Sequence, residues 1–163
     1  PGMDLALARD RIKGYKNFAN KLWNITRFVL SVCDEEKYDP NFTTYSEKDL
    51  ELVKERDNLI AEITKEMDEF KFYIVAEKIY HYIWHSFADI ILEESKKIFE
   101  ESSSDEKTSR KQFLLSTLER ILIVLHPFMP FVTEEIWQTW KNDQTMLMVS
   151  KWPLIIHSEI KHD

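Results

Sequence analysis

Three groups of residues in this 163-residue chain have the types and spacing to do chemistry. Lys13, Asn17, Asn20, Asn24, Arg27 and Ser31 recur every three or four positions, flanked by Lys16 and Lys21, so a helix would carry them on one side. Asparagine is a mediocre helix former, and an idle surface is more readily filled with Glu, Lys or Ala. Its amide offers donors and acceptors that can pair with the edge of an unstacked base, and neighbouring cations hold phosphates. The competing reading is an ordinary solvated face. His81, His85 and Asp89 stand four apart, a spacing that can supply metal ligands. With Cys33 the only cysteine and no second His-rich helix, a closed zinc site lacks partners. The paired Glu-x-x-His elements of di-metal bundles are also missing, since Glu159 to His162 is a single copy, and no metal site is expected. Cys33 beside Asp34 could be a nucleophile only with a histidine and an activating environment, so an inert thiol and no catalytic residue are expected.

The elements that must position these groups are helical. Apolar residues make up 44% of the chain and charged residues 31%, and only 2 Gly and 5 Pro leave little room for hairpins or a Gly-rich phosphate loop. The net charge of −7 argues against a general nucleic-acid binder. Its distribution argues differently. Residues 1–33 hold six cations (Arg9, Arg11, Lys13, Lys16, Lys21, Arg27) against Asp4 and Asp10, which is +4 and leaves −11 for the rest. One disulfide partner short, and with neither a secretory signal nor an apolar run of about 18 residues, the chain suits a cytoplasmic setting without a membrane.

Periodicity divides the chain. Residues 1–8 read as a connector from something larger or a cloning scar, 9–157 as one helical domain, and 158–163 as a tail. A first helix over 9–33 buries a stripe of Ile12, Tyr15, Ala19, Leu22, Thr26 and Val29, with Phe18, Trp23 and Ile25 beside it. A loop with Pro40 follows, then a second helix with Ser46 and Asp49 at capping-box spacing and Leu50, Val53, Leu59, Ile60 and Ile63 behind them. A break near Phe70, unmarked by Gly or Pro, precedes a third helix with Val75, Ile79, Tyr82, Ile83, Phe87, Ile90 and Ile91. The polar run 100–107 reads as a loop before a fourth helix with Phe113, Leu114, Thr117, Leu118, Ile121 and Leu125, stopped by Pro127. Thr133 is placed to cap a short fifth helix ending near Trp140, with Glu134 and Glu135 in its first turn and Val132 and Trp137 as a staple. Residues 146–156 read as a strap across the bundle. Most of the 21 aromatics, Trp23, Trp84, Phe87 and Trp137 among them, are assigned to the core. The expectation is an all-α antiparallel bundle of four long helices plus a short fifth.

Two blocks carry a resemblance. Gly14 to Asn24 (Gly-Tyr-Lys-Asn-Phe-Ala-Asn-Lys-Leu-Trp-Asn), followed by Thr26-Arg27-Phe28, resembles the opening helix of the valyl-tRNA synthetase anticodon-binding domain. Leu125 to Phe131 with Thr133-Glu134-Glu135-Ile136-Trp137 is similar to a segment shared by the valyl, isoleucyl and leucyl enzymes of class Ia. Phe87-Ala88-Asp89, Leu92-Glu93 with Lys96, and Lys151-Trp152-Pro153 extend the likeness over nearly the whole chain, while 34–45, 100–108 and Ile90-Ile91 depart from it. The resemblance implies a domain that grips the anticodon stem-loop of valine tRNA through Lys13, Lys16, Asn17, Asn20, Lys21, Asn24 and Arg27. It implies a monomer attached to a catalytic domain that uses ATP and magnesium, whose His-Ile-Gly-His and Lys-Met-Ser-Lys-Ser signatures do not occur here, so this chain by itself is expected to be non-catalytic and free of cofactors. The alternatives are a helical protein-interaction module without an RNA role, and the corresponding domain of an isoleucyl or leucyl enzyme.

Overall fold

A computed structural model describes residues 9–34, 36–141 and 145–153; the connector over 1–8, the strap beyond 153 and the tail over 158–163 lie outside the described residues, as do the side chains of Arg9, Asp10, Arg11 and Ile12. Six α-helices follow in order: α1 (Arg9–Val32), α2 (Glu47–Asp68), α3 (Phe72–His81), α4 (Leu92–Glu101), α5 (Ser104–Leu125) and α6 (Pro130–Lys141). A π-helical segment, Tyr82–Ile91, joins α3 to α4, and His81, Tyr82, Ile91 and Leu92 all keep right-handed helical angles, so the three pieces form one rod. Counted that way, the bundle has four long helices and a short fifth, with no strand among the described residues. None of these helices is long and apolar enough to cross a membrane.

The rod's π winding follows from its sequence. Val75, Ile79, Ile83, Phe87 and Ile91 are all buried and fall four residues apart. In a helix of 3.6 residues per turn a four-residue repeat drifts by about 40° per step. Wider i→i+5 turns over Tyr82–Ile91 counter that drift and keep the row facing the core. Tyr82 itself is half-buried and Ile90 is exposed, so neither belongs to the buried row expected of it.

Helix α5 is the hub. From Ser109 to Leu125 nearly every residue is buried, because α1, α2, the rod and α6 all pack on it. A buried polar layer ties these elements together. Asp49 on α2 accepts from Arg110 Nε (2.6 Å) and Ser109 Oγ (2.6 Å) on α5, while Arg110 Nη1 donates to Ser95 Oγ (3.1 Å) on α4. Two helical turns further on, Arg56 Nη1 donates to Ser116 (2.8 Å) and Thr117 (3.0 Å). In the loop before α2, Gln112 Nε2 donates to the Lys37 carbonyl (2.7 Å) and its carbonyl accepts from the Asp39 amide (3.0 Å).

Several local expectations need correction. Ser46 caps α2 by accepting from the Asp49 amide (3.2 Å), but the Asp49 carboxylate does not reach back; it turns inward to Arg110, and Ser109 Oγ accepts the Ser46 N–H (2.8 Å) instead. The full capping box sits at Ser103 and Glu106, inside the run read as a loop, and it starts α5 at Ser104. Thr133 is not a cap. Pro130 opens α6, so Thr133 lies within the helix, where its hydroxyl bonds the Met129 carbonyl (2.9 Å) and His126 Nδ1 (2.8 Å). For the same reason Glu134 is past the first turn; its carboxylate accepts the Leu147 amide (3.0 Å) and fastens the strap. The strap does cross the bundle as far as Trp152, whose Nε1 donates to Thr64 Oγ1 on α2 (2.8 Å). The break at Phe70 is real, made by a positive φ of 59° at that residue. Tyr15, expected in the buried stripe, is exposed, as is Leu50.

Candidate nucleic-acid interface

The faces of α1 are divided by what α5 and the rod need. Phe18, Leu22, Ile25, Thr26 and Val29 are buried, and the Thr26 hydroxyl is satisfied by the Leu22 carbonyl (2.9 Å). The remaining side is then left to solvent by helical spacing alone. Lys13, Lys16, Asn17, Asn20, Asn24 and Arg27 are all exposed on it, and Lys21 is half-buried at its edge.

Within the stripe the side chains are not equivalent. Arg27 donates from Nη2 to the Asn24 carbonyl oxygen, which leaves the Asn24 amino group and the other guanidinium donors facing solvent. Asn20, Asn24 and Arg27 together with half-buried Trp23 line an open depression. An indole wall with amide and guanidinium rims suits a planar heterocycle, which stacks on the one and hydrogen-bonds to the other. Lys21 is differently placed: its ammonium lies 2.8 Å from Asp89 Oδ1 and 5.3 Å from the centre of the Trp84 ring. It is therefore a partly neutralised cation.

Trp84 and Asp89 belong to the π segment, and Trp84 stacks on Phe18 (6.2 Å, 15°) and Tyr80 (5.6 Å, 28°), which locks the rod against α1. Trp23 and Trp84, which hydrophobicity assigns to the core, are both half-buried and flank the stripe on opposite sides. Trp23 was legible, since it lies three residues after Asn20 and four before Arg27; the reach of Asp89 to Lys21 was not, because the two are 68 positions apart. His81 and His85 are exposed, and the Asp89 carboxylate near His85 (3.7 Å) is the one that also pairs with Lys21. No cluster of three potential metal ligands occurs among the described residues. Cys33 is buried, with its thiol pushed up to about 12 by that burial, and among the described residues it hydrogen-bonds the Lys111 carbonyl (3.7 Å) rather than a histidine.

The family profile described as anticodon-binding domain of tRNA ligase matches residues 49–162. The chain belongs to this family of anticodon-binding domains. Its α1 precedes the matched stretch, but whole-length comparison reaches it. A valine–tRNA ligase of Pelagibacter ubique is 39% identical over 94% of this chain, one of Bacillus cereus 34% identical over 95%, and one of Legionella pneumophila 36% identical over 94%. The 6% left unmatched is about ten residues, fewer than the 24 of α1. This anticodon-binding domain spans 18% of the length of each of these relatives.

Proposed function

We propose that this domain binds the anticodon stem-loop of valine tRNA through the exposed side of α1, as part of a valine–tRNA ligase. The observation that carries the reading is the exposed row Asn17, Asn20, Asn24 and Arg27 beside the Trp23 depression, on a helix whose opposite side is sealed into the core. Asn20 and Asn24 read base edges, Trp23 offers a stacking wall, and Lys13, Lys16 and Arg27 hold phosphates. The ligases to which the chain is similar are named for valine, which favours valine tRNA over the isoleucine and leucine alternatives. Activation of valine with ATP and magnesium is assigned to the rest of such a ligase, a monomer of the cytoplasm. The present residues position the tRNA and take no part in bond making.

The test is Asn20→Ala and Asn24→Ala in the complete ligase. Charging of tRNA should fall by tenfold or more while valyl-adenylate formation stays unchanged, since losing a base-reading pair costs about 1–3 kcal/mol. Equal loss of both steps sinks the assignment. Stem-loop binding indifferent to salt would favour a protein-interaction module instead.

A further inference from the structure

The edge of the α1 stripe holds a cation that the proposed phosphate contacts leave unused. Lys21 Nζ lies 2.8 Å from Asp89 Oδ1 on the rod and over the Trp84 ring, 5.3 Å from its centre. The other oxygen of that carboxylate faces a second base: His85 Nδ1 is 3.7 Å from Asp89 Oδ2, from four residues earlier on the π segment. That separation is too long for a hydrogen bond and short enough for an ion pair once the ring takes a proton. One carboxylate therefore stands between two bases, one on α1 and one on the rod. With His85 neutral, Lys21 and Asp89 cancel. With His85 protonated, two cations share one anion, and the border of the stripe gains an uncompensated positive charge.

The other groups around His85 are distinct from this trio. On its own rod it adjoins His81, with ring centres 5.3 Å apart, and Tyr80 at 6.5 Å. Toward α2 it shares a shallow groove with Glu55 on α2 and with Glu77 and Lys78 on α3. Lys78 is engaged by Glu62 (2.9 Å) and Glu66 (2.8 Å), which leaves Glu55 and Glu77 to favour a proton on His85 and a protonated His81 to oppose it.

We propose that His85 is a positioning residue of the RNA surface: it contests Asp89 with Lys21, and a proton on its ring releases the Lys21 ammonium to a phosphate of the stem-loop. The inference rests on the reading of α1 as the RNA-binding side. Lys21 follows Asn17 by four residues and precedes Asn24 by three, so once released it carries the row of cations across to the rod. Coupling between two ligands is reciprocal, so the stem-loop draws a proton onto His85 as a proton draws the stem-loop.

The test is anisotropy of a synthetic stem-loop lacking terminal phosphates, titrated with the complete ligase at about pH 8 and about pH 5.5, a span in which histidine is the ordinary side chain that changes charge. Measured against His85→Gln, which keeps every other histidine, acidification of the native protein should steepen the slope of log K against log salt by about 0.7 to about 0.9. The gain in affinity due to His85 should accordingly shrink about threefold between about 50 and about 200 mM salt. Asp89→Asn should show the steeper slope already at the alkaline end. In a Lys21→Gln background, His85→Gln should change nothing, since no ammonium is left to release. All three side chains are partly exposed, so these exchanges leave the core intact. Salt-sensitive binding with the same pH response in the native protein and His85→Gln overturns the proposal alone. A His85 effect that survives Lys21→Gln also overturns it, by making the imidazole itself the phosphate contact. Binding indifferent to salt at both pH values refutes the RNA reading and this inference with it.

Discussion

Replacing Arg27 with Gln removes one of three exposed cations on the stripe among the described residues, the others being Lys13 and Lys16. Each phosphate contact contributes about −0.7 for single strands to about −0.9 for duplex to the slope of log K against log salt. Three contacts therefore predict a slope of about −2.1 to about −2.7, and raising salt from about 50 to about 200 mM should weaken stem-loop binding roughly twenty- to fortyfold. Arg27→Gln should flatten the slope by about 0.7 to about 0.9. Lys21→Gln should flatten it far less, because Asp89 at 2.8 Å already serves as the counterion and few mobile ions are released when RNA arrives. Asp89→Asn should have the reverse effect and steepen the slope, turning Lys21 into a fourth free cation. Fluorescence anisotropy of a labelled anticodon stem-loop, titrated at several salt concentrations, reads all four proteins; any contribution from Arg9 and Arg11 is common to them and cancels. Equal flattening by Lys21→Gln and Arg27→Gln would refute the argument that the ion pair withholds charge from the RNA.

Asp49→Ala should cost about 3–5 kcal/mol in urea unfolding, because it strands the fully buried Arg110 guanidinium, and Asp49→Leu combined with Arg110→Met should recover most of that loss. Phe70→Gly should stabilise the chain by about 1 kcal/mol in thermal melting, since φ of 59° is strained for any residue with a Cβ and the ring is largely exposed. Burial pushes the Glu134 carboxyl up, but hydrogen bonds from Gln138 and from the Leu147 and Met148 amides outweigh it and leave the group below its usual range. A lowered pKa adds stability above the ordinary glutamate value that is lost as pH falls through the lowered one. Amide exchange at Leu147 and Met148, corrected for intrinsic rates, should accordingly accelerate on acidification below about pH 4, and Glu134→Gln should abolish the dependence. Cys33, raised from 9.0 to about 12, should react with iodoacetamide at pH 8 about a thousandfold more slowly than in the denatured chain; comparable rates would show the thiol is not sealed under α5.

Much of the bundle is written in short-range periodicity. Residues three and four apart on one helix share a side whatever surrounds them, so the buried row of α1 and its polar complement could both be read before any coordinates, as could Ser46 starting α2 and the rod's four-residue row. Errors arose where a polar side chain had two available partners. Asp49 stands where a capping acid would, yet a buried arginine 61 positions away offers a full charge in a dry environment, which outweighs the neutral Ser46 amide that Ser109 satisfies instead. Arg56 and Arg110 likewise gave no sign of burial, since a charged residue in a helix is solvated by default and only the meeting of α2, α4 and α5 makes the interior its place. Hydrophobicity alone puts Trp84 in the core, but its burial depends on the angle at which the π segment meets α1.

By itself, then, the order of residues determined the succession of helices, most of the side each one buries, and the row of amides and cations on α1, because these follow from local geometry. Tertiary structure alone decided that Lys21 is tied to Asp89 and that the uncovered aromatics collect at one end. Those outcomes are set by distances between segments scores of residues apart, and such distances exist only once α5 has drawn the other helices around it.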